Sequence, residues 1–486
     1  MVLFIWWPPF VCGNPRYHDC DDHSLQVNPR CYKCGAITYC LISAYDEGNG
    51  WLRLYNSQKG LESLIRVRKE KFERIKQNLE NDGIFQNTAD KTFQKLAELE
   101  YIIPYSGDEE KALEVKIGEQ IYEPVLRLII LPTEKCSFRC RYCYEKFENG
   151  KMSDQLQNAI INYVKNNIHN YARMEVRWFG GEPLEALDVI ENLSKNFITI
   201  CKMAHRNYEA SITTNGYYLT YDVFQRLYRL SVRNYQVTID GLKTEHDQQR
   251  YLAGGIGTFE QIVNNLVDIK TRCKSRIPNF TIRTNFNKES IKRLDEYLYF
   301  FSEKFGDDDR FGFSLQRASD WGGERVKKIK DSLITEQTYE DLLTKILNQN
   351  VRLNISPHAA LFAREECVCY AGKKNSYVIG SNGQIYKCTA DFNMEANNIG
   401  RITEEGKFVI DKYKEEKWLT AWLHAGELHE CTKCRFEGAC LRMSCPSSVI
   451  KEIGENGSCL LEKEYTSLFL GLFEKHWFYE IGKEQQ

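Results

Sequence analysis

The stretch VLRLIILPTEKCSFRCRYC, residues 125–143, decides the fold of this chain. Its first seven residues are almost all apolar, as in a β-strand that is buried on both faces of a parallel sheet. Three cysteines, Cys136, Cys140 and Cys143, follow that strand on one short loop. A buried strand that ends in a loop of metal-binding side chains predicts an α/β protein with its chemistry at the strand ends.

The strand-then-helix rhythm repeats five more times after that stretch. Further strands are predicted at 174–179, 209–213, 235–239, 280–285 and 311–315, and helices at 154–168, 184–203, 221–230, 258–273 and 289–305. Six strands that alternate with helices imply a parallel sheet, either a partial barrel or an open doubly wound sheet. Polar or glycine-rich segments follow all six strands, so the candidate site residues share one rim.

The amino-acid composition limits the classes of protein to which the chain can belong. The chain has 486 residues, 42% of them hydrophobic and 27% charged, with a formal net charge of −2. These values predict two to three globular domains, with neither nucleic acid nor a membrane as partner. The apolar stretch 2–11 contains Pro8 and Pro9, is too short to span a bilayer and lacks the basic start of a signal peptide. A cytoplasmic location is therefore expected.

The eighteen cysteines are clustered, which favours metal binding over disulfides in a large chain of this kind. Three thiolates on one loop can hold three irons of a [4Fe–4S] cube and leave the fourth iron open. A zinc site would need a fourth ligand nearby, and none is local. Cys201 and Cys273 lie inside helical patterns and are expected to be buried, inert thiols.

The loop of Cys136, Cys140 and Cys143 resembles the cysteine motif of the radical S-adenosylmethionine (SAM) superfamily. The resemblance implies that these three catalytic cysteines hold a [4Fe–4S] cluster whose open iron is chelated by the amino and carboxylate groups of SAM. Electron transfer from the cluster then cleaves SAM into methionine and a 5′-deoxyadenosyl radical. It also implies that Tyr142, the aromatic residue before the third cysteine, lies against the adenine.

A second motif, Gly180-Gly181-Glu182-Pro183, follows the second predicted strand of this series. Glycines allow close approach of a ligand, and a carboxylate beside them can pair with an ammonium group. Alone, the tetrapeptide could be a strand-to-helix turn with proline at the helix start. One unit after the cysteine loop, it resembles the family's motif that binds the amino group of SAM, which implies that Glu182 is the ammonium partner.

Three further rim residues, Asn215, Asp240 and Arg283, lie in segments similar to those after strand three, after strand four and on strand five of the family. The resemblance implies contacts to SAM or substrate. Each segment could equally be loop structure only, since Asn-Gly and Asp-Gly form turns in any protein. Arg250 is a weaker candidate, because an arginine in such a loop often makes a structural ion pair.

A third set of cysteines lies near the C-terminus, at Cys367, Cys369, Cys388, Cys431, Cys434, Cys440, Cys445 and Cys459. Two zinc sites would explain them. Their order and spacing resemble the SPASM domain of radical SAM peptide-modifying enzymes, which implies two auxiliary [4Fe–4S] clusters. The first would take Cys369, Cys388 and Cys445, and the second would take Cys431, Cys434, Cys440 and Cys459.

Cys367 is the cysteine of that set whose role the spacing does not decide. As a ligand it would complete the first auxiliary cluster, and otherwise one iron would stay free for a substrate thiolate. In sulfatase-maturing relatives an aspartate that acts as a base directly follows the cysteine equivalent to Cys388. Thr389 occupies that place here, which argues against that activity.

The resemblance implies a domain plan with a partial (β/α)6 TIM-type barrel at 124–320 and a SPASM domain at 356–460. An irregular extension is expected at 1–35, and a C-terminal helix at 461–486. A small α+β module at 36–115 would be either a winged-helix element that grips a leader peptide or a cap on the barrel.

The expected function is that of a radical SAM oxidoreductase that matures a ribosomally made peptide with a leader. Its electron donor would be a flavodoxin or a ferredoxin. A thioether cross-link from cysteine is the first expectation for the product, with carbon–carbon cross-linking and formylglycine formation as alternatives. A non-catalytic zinc-binding interaction protein is the alternative from another class.

Overall fold

The computed structural model describes residues 42–46, 50–56, 65–82, 90–99, 109–145, 147–317, 331–334, 368–428, 442 and 445–452. These residues fall into two compact units. The described residues of the smaller unit fall within 42–120, 368–369 and 421–452, and those of the larger unit fall within 121–334 and 370–420. The predicted extension at 1–35 and the predicted helix at 461–486 lie outside the described residues.

The smaller unit contains a three-stranded antiparallel sheet, with strands in the order β1 (Ile42–Asp46), β2 (Trp51–Asn56) and β3 (Ile65–Arg68). Its helices are α1 (Lys69–Asp82), α2 (Lys91–Glu98) and, except for its last residue, α3 (Glu109–Ile121). Asp90 is the N-cap of α2, because its carboxylate accepts hydrogen bonds from two backbone N–H groups of the first turn. The buried apolar side chains include Leu52, Leu54, Phe72 and Phe93.

Six parallel strands form the centre of the larger unit. They are β4 (Val125–Ile130), β5 (Arg173–Trp178), β6 (Asn207–Thr214), β7 (Val232–Thr238), β8 (Asn279–Phe286) and β9 (Phe311–Arg317). Each strand pairs with the next one in the chain. A doubly wound sheet reverses its strand order at a switch point, whereas a barrel keeps chain order. The predicted partial (β/α) barrel is therefore confirmed.

Helices separate these strands, as predicted. They are α4 (Asp154–Asn167), α5 (Leu187–Met203), α6 (Tyr221–Arg229), α7 (Lys243–Gln249), α8 (Phe259–Arg272) and α9 (Leu294–Phe305). Helix α7 was not predicted, because seven mostly polar residues carry no readable periodicity. No helix among the described residues is long and apolar enough to cross a membrane.

Four further strands extend this sheet beyond β4. They are β10 (Ser376–Ile379), β11 (Gln384–Tyr386), β12 (Asn398–Ile402) and β13 (Phe408–Ile410). Strand β10 runs parallel to β4, and the remaining pairs are antiparallel. Helix α10 (Lys412–Leu419) follows in the larger unit, and α11 (Ala421–Leu428) and α12 (Pro446–Glu452) lie in the smaller one. The sequence pointed to a cysteine-rich region here and not to an extension of the barrel sheet.

The two faces of the barrel sheet differ in polarity. Along β5, Met174, Val176 and Trp178 are fully buried, while the alternating residues Arg173 and Arg177 are partly exposed. The buried face contacts the helices, as the Sγ of Cys201 in α5 lies 3.9 Å from the Sδ of Met174. The opposite, concave face continues with partly exposed polar side chains from β6 to β9, namely Thr213, Gln236, Arg283 and Ser314. It offers hydrogen-bonding groups to a polar substrate.

A buried arginine ties the start of the barrel together. Arg127 on β4 is 1% exposed, and its guanidinium donates to Glu123 (2.9 Å) and to Glu175 on β5 (2.8 Å). The Lys373 ammonium, just before β10, lies 2.7 Å from Glu123. Burial alone would raise the pKa of Glu175, but Arg127 and Arg173 together hold that pKa below its usual value. The network joins β4 to the strands on either side of it.

Replacing Arg127 with methionine should lower the stability of the full chain by about 3 kcal/mol, because the partly buried carboxylates of Glu123 and Glu175 lose the buried cation that they share. Arg226→Met is the matched control. Arg226 makes a similar pair with Glu191 (2.6 Å) on the surface, where loss costs at most about 1 kcal/mol. Urea unfolding followed by circular dichroism measures both. Equal unfolding midpoints for the two variants would contradict the assigned role.

Candidate active site

The cysteine loop after β4 is held by a second segment of backbone. The N–H of Arg139 donates to the carbonyl of Tyr251 (2.7 Å), and the N–H of Arg141 donates to the carbonyl of Gln249 (3.0 Å). Residues 249–253, which begin at the last residue of α7, thus pair with the loop as a short antiparallel strand would. The positions of the three cysteines follow from this pairing.

The thiols of the loop differ in exposure. Cys140 is buried, whereas Cys136 and Cys143 are partly exposed. The N–H of Phe138 donates to the Sγ of Cys136 (3.4 Å), a contact typical of thiolates that bind iron–sulfur clusters. Within the described ranges, no three His, Cys, Asp or Glu side chains share a point where one metal ion could bind. A [4Fe–4S] cluster does not need three ligands around one point, because each cysteine binds a different iron.

The glycine pair after β5 packs against the start of the cysteine loop. A Cβ on Gly180 would lie 2.4 Å from the carbonyl oxygen of Thr133, and a Cβ on Gly181 would lie 2.3 Å from that of Lys135. Gly180 also has a φ of +118°, which side chains rarely adopt. The sequence predicted close approach of a ligand at these glycines. The close approach that the structure shows is to the backbone that carries Cys136.

Glu182 is fully buried beside that backbone. Its carboxylate accepts hydrogen bonds from the N–H of Leu184 (3.0 Å), the hydroxyl of Thr214 (2.6 Å) and the N–H of Asn215 (2.7 Å). Burial raises the pKa of Glu182 to about 7. The N–H of Glu182 donates to the carbonyl of Lys135 (2.9 Å), the residue before Cys136. Burial, and after it the Glu182 carboxylate, raises the pKa of Cys136. The structure thus places the predicted ammonium partner next to the first cysteine.

Asn215, directly after β6, has an unsatisfied donor. Its side-chain oxygen accepts from the N–H of Tyr217 (2.9 Å), but its Nδ2 is buried without a hydrogen-bond partner in the described part of the protein. Leaving a buried donor unpaired costs about 1–3 kcal/mol. Such a group fits a bound molecule that supplies an acceptor. The sequence predicted Asn215 as a SAM or substrate contact.

Tyr142 and Asp240 meet in a second buried cluster. The Tyr142 hydroxyl donates to the Asp240 carboxylate and accepts from Arg250 (2.6 Å) and from the amide of Asn285 (3.2 Å). Burial raises the pKa of Asp240, and Arg250 opposes that effect. Arg283, on the concave face of β8, donates to the side-chain oxygen of Asn285 (3.1 Å).

Sequence reasoning missed Asn285 and ranked Arg250 low. Asn285 lies at the polar end of the fifth barrel strand, a position that could have marked it. The predicted structural role of Arg250 agrees with its contacts, because its guanidinium is 3.9 Å from Asp240 and bonds the Tyr142 hydroxyl.

The predicted auxiliary cysteines are distributed over both units. Cys388, two residues after β11, lies in the larger unit and its N–H donates to the side chain of Asn397 (2.8 Å), while Cys369 and Cys445 lie in the smaller unit. The remaining five lie outside the described residues: Cys367, Cys431, Cys434, Cys440 and Cys459. Their roles as ligands stay predictions. Cys201 and Cys273 are buried, as expected.

A family model matches the part of the chain that contains this site. Residues 130–301 match the model of the radical SAM superfamily. That range begins at the end of β4, includes the cysteine loop and ends within α9. The chain therefore contains a radical SAM domain, and the family to which that domain belongs uses SAM and a [4Fe–4S] cluster.

Curated relatives match the chain at low identity. An uncharacterized protein of Methanocaldococcus jannaschii, MJ0907, is 23% identical over 60% of this chain and 93% of its own length. A GTP 3′,8-cyclase of Clostridium perfringens is 29% identical over 34% of this chain and 50% of its own. A cysteine-type anaerobic sulfatase-maturating enzyme of Clostridium novyi is 27% identical over 37% of this chain and 48% of its own. The chain thus spans about half the length of the two named enzymes.

Among solved structures, anSMEcpe with bound AdoMet and the Cp18Cys peptide superposes with a TM-score of 0.56. The match has 17% sequence identity and covers 75% of this chain and 100% of that one. At this identity the similarity shows a shared fold.

Replacing Gly181 with alanine should displace the cysteine loop, because the new Cβ would overlap the Lys135 carbonyl. We expect the iron bound after anaerobic reconstitution to fall by about four atoms per chain, the content of one [4Fe–4S] cube. Gly150→Ala is the control, since nothing lies within 4 Å of a Cβ at that position. Iron per chain, measured by colorimetric assay, is the readout. Full iron binding by the Gly181 variant would show that the contact does not set the loop.

Proposed function

We propose that this protein is a radical SAM enzyme that modifies a ribosomally made peptide. One observation carries the proposal: the cysteine loop lies on the same rim of the barrel as the unpaired amide of Asn215. The concave face of the barrel below that rim is polar and partly exposed, which suits a peptide backbone. A peptide is also what the structurally similar anSMEcpe holds in its complex with AdoMet.

The residues present fit a cluster and SAM. Cys136, Cys140 and Cys143 would hold the cluster, which supplies the electron for SAM cleavage when it is bound. Glu182 accepts three hydrogen bonds within the protein, and a carboxylate has about four acceptor sites. One site therefore stays available for the ammonium group of SAM. The backbone of Gly180 and Gly181 keeps Glu182 next to the loop.

Asn215, Asp240 and Arg283 would orient SAM or substrate on the same rim. The unpaired Nδ2 of Asn215 would donate to an acceptor on the bound molecule. Asp240 holds the Tyr142 hydroxyl, which fixes the ring that we expect to lie against adenine. Arg283 presents a cation on the concave face, where it would pair with a substrate carboxylate or carbonyl.

The auxiliary cysteines carry the finer part of the proposal. Eight thiolates, with Cys367 among them, would complete two further cubes, and seven would leave one iron free for a substrate thiolate. A Cys-derived thioether cross-link is the product we propose. Thr389 bonds the Tyr370 hydroxyl (2.8 Å) where a sulfatase-maturing enzyme would have its base, so formylglycine formation fits less well. Carbon–carbon cross-linking is the remaining alternative.

Changing Cys136, Cys140 and Cys143 together to alanine should abolish SAM cleavage, because no cluster can then deliver an electron. We expect the wild-type protein to bind about twelve irons per chain, four for each of three cubes, and the variant to bind about eight. Cys201→Ala, which removes a buried thiol elsewhere, should leave both values unchanged. Zinc in place of iron, with no visible absorbance, would support the non-catalytic alternative.

Asn215→Ala should weaken SAM binding by about tenfold, the effect of one lost hydrogen bond from a buried donor. Asn192→Ala is a control, because the Asn192 amide bonds the Gln157 side chain on the helical side of the barrel (2.8 Å). Equilibrium dialysis with labelled SAM under anaerobic conditions measures both. Unchanged affinity in Asn215→Ala would show that this residue does not bind SAM.

The substrate class has its own test. Short cysteine-containing peptides encoded beside the gene are incubated with the reduced protein and SAM, and mass spectrometry follows the peptide. A loss of two hydrogens that depends on SAM supports cross-linking. Consumption of GTP with no change in any peptide would instead align the chain with its cyclase relative and contradict the proposal.

A further inference from the structure

We propose that Thr258 and His246 are positioning residues that set the shape of the cysteine loop through Arg250. Neither residue belongs to the predicted site, and both are almost fully buried. The inference rests on the proposed function, because it concerns how the protein shapes the thiolates that would hold the cluster. Four sets of contacts carry it.

The first set is the pairing of the cysteine loop with residues 249–253. The carbonyls of Gln249 and Tyr251 accept from the loop, and the N–H of Ala253 donates to the carbonyl of Ser137 (2.8 Å). Three backbone hydrogen bonds therefore transmit any shift of this segment to the loop. The segment itself must be held in place from its other side.

Thr258 supplies that support. In an extended chain successive carbonyls point in opposite directions. Since the carbonyls of Gln249 and Tyr251 face the cysteine loop, the carbonyl of Arg250 between them faces away. There it accepts from the hydroxyl of Thr258 (2.8 Å). Thr258 is fixed in turn, because its N–H donates to the Asp247 carboxylate (2.7 Å).

His246 connects this support to the end of β7. Its Nδ1 accepts from the N–H of Asp240 (3.1 Å), so its Nε2 carries the proton and donates to the Thr258 hydroxyl (3.1 Å). That hydroxyl then donates to Arg250. Burial also lowers the pKa of His246 well below its usual value, which agrees with a neutral ring. The Asp240 N–H, the His246 ring and the Thr258 hydroxyl each donate one hydrogen bond to the next group. The protons along this series therefore have only one arrangement.

The side chain of Arg250 completes a closed circuit. Its guanidinium donates to the Tyr142 hydroxyl (2.6 Å), which donates to the Asp240 carboxylate. Arg250 is thus tied to Asp240 at both ends, through His246 and Thr258 on one side and through Tyr142 on the other. Because Tyr142 directly precedes Cys143, a movement of Arg250 reaches the cysteine loop through both its backbone and its side chains.

The loop has a chemical reason to need this support. The N–H of Phe138 faces the Sγ of Cys136, while the neighbouring N–H of Arg139 faces Tyr251. Hydrogen bonds to cluster sulfurs tune the reduction potential of the cluster. The pairing with 249–253 decides which N–H groups face the sulfurs, so Thr258 acts on the cluster without touching it.

The test compares Thr258→Val, which removes the hydroxyl, with Thr258→Ser, which retains it. Ser194→Ala is the control, because it removes a buried hydroxyl that contacts Tyr208 on the helical side of the barrel (3.5 Å). Each full-length protein is reconstituted anaerobically. Iron per chain, the electron paramagnetic resonance spectrum of the reduced protein before and after addition of SAM, and the rate of SAM cleavage are measured.

In Thr258→Val we expect iron content near that of wild type, an altered SAM-induced change in the spectrum, and cleavage slower by about ten- to a hundredfold. Thr258→Ser and Ser194→Ala should behave as wild type. Only the cluster that SAM chelates changes its spectrum on addition of SAM, so this change reports on the cysteine loop and not on the auxiliary clusters. A Thr258→Val protein that matches wild type in both spectrum and rate would overturn the inference.

His246→Gln decides the case if Thr258→Val does not fold, as judged by circular dichroism. It breaks the link to Asp240 but leaves the Thr258 hydroxyl on Arg250, so we expect a change in the same direction and of smaller size. An unchanged spectrum and rate in this variant would also overturn the inference. A wild-type protein whose spectrum does not respond to SAM would instead contradict the proposed function.

Discussion

Backbone hydrogen bonds on both sides of the cysteine loop are the constraint on which the rest of the site depends. On one side, the N–H of Glu182 donates to the carbonyl of Lys135 (2.9 Å). On the other side, residues 249–253 pair with the loop at Arg139 and Arg141. Because these contacts come from the segments that follow β5 and α7, the barrel itself fixes where the three cysteines lie. A loop free to move could hold three cysteines but not a defined arrangement of them.

The two faces of the barrel sheet have different roles. Apolar side chains such as Val176 and Trp178 lie on the face that packs against the helices, while the side chains of the concave face are polar. Buried charges occur where strands must be joined, as at Arg127, or where the rim must be held, as at Asp240 and Arg250. Each of these groups has a partner of opposite charge, which is how a protein tolerates charge in its interior.

Local patterns were enough to predict much of the fold and part of the site. Apolar runs marked the six barrel strands, and the spacing of Cys136, Cys140 and Cys143 marked the loop after the first of them. Helix α7 was not predicted, because it is short and polar. The pairing of β10 with β4 could not be predicted, because the two strands are about 250 residues apart and only their contact in space reveals it.

Contacts between rim residues depend on register, which a single sequence does not show. Thr238 pairs with Arg283, so Asp240 and Asn285, two residues further along each strand, come together. The tight fit of Gly181 against Lys135 has the same origin. Sequence patterns singled out Asp240 and Gly181 but not Asn285, and the contacts of all three residues depend on a neighbouring segment that only the structure shows.

The proposed chemistry requires the three cysteines to hold a cluster whose open iron binds SAM. Electron–nuclear double resonance on the reduced protein, with SAM labelled with ¹⁵N at its amino group, detects that bond. We expect a ¹⁵N coupling to the cluster that is lost in the Cys136, Cys140 and Cys143 triple variant. A reduced cluster that shows no ¹⁵N coupling while SAM is bound would contradict it.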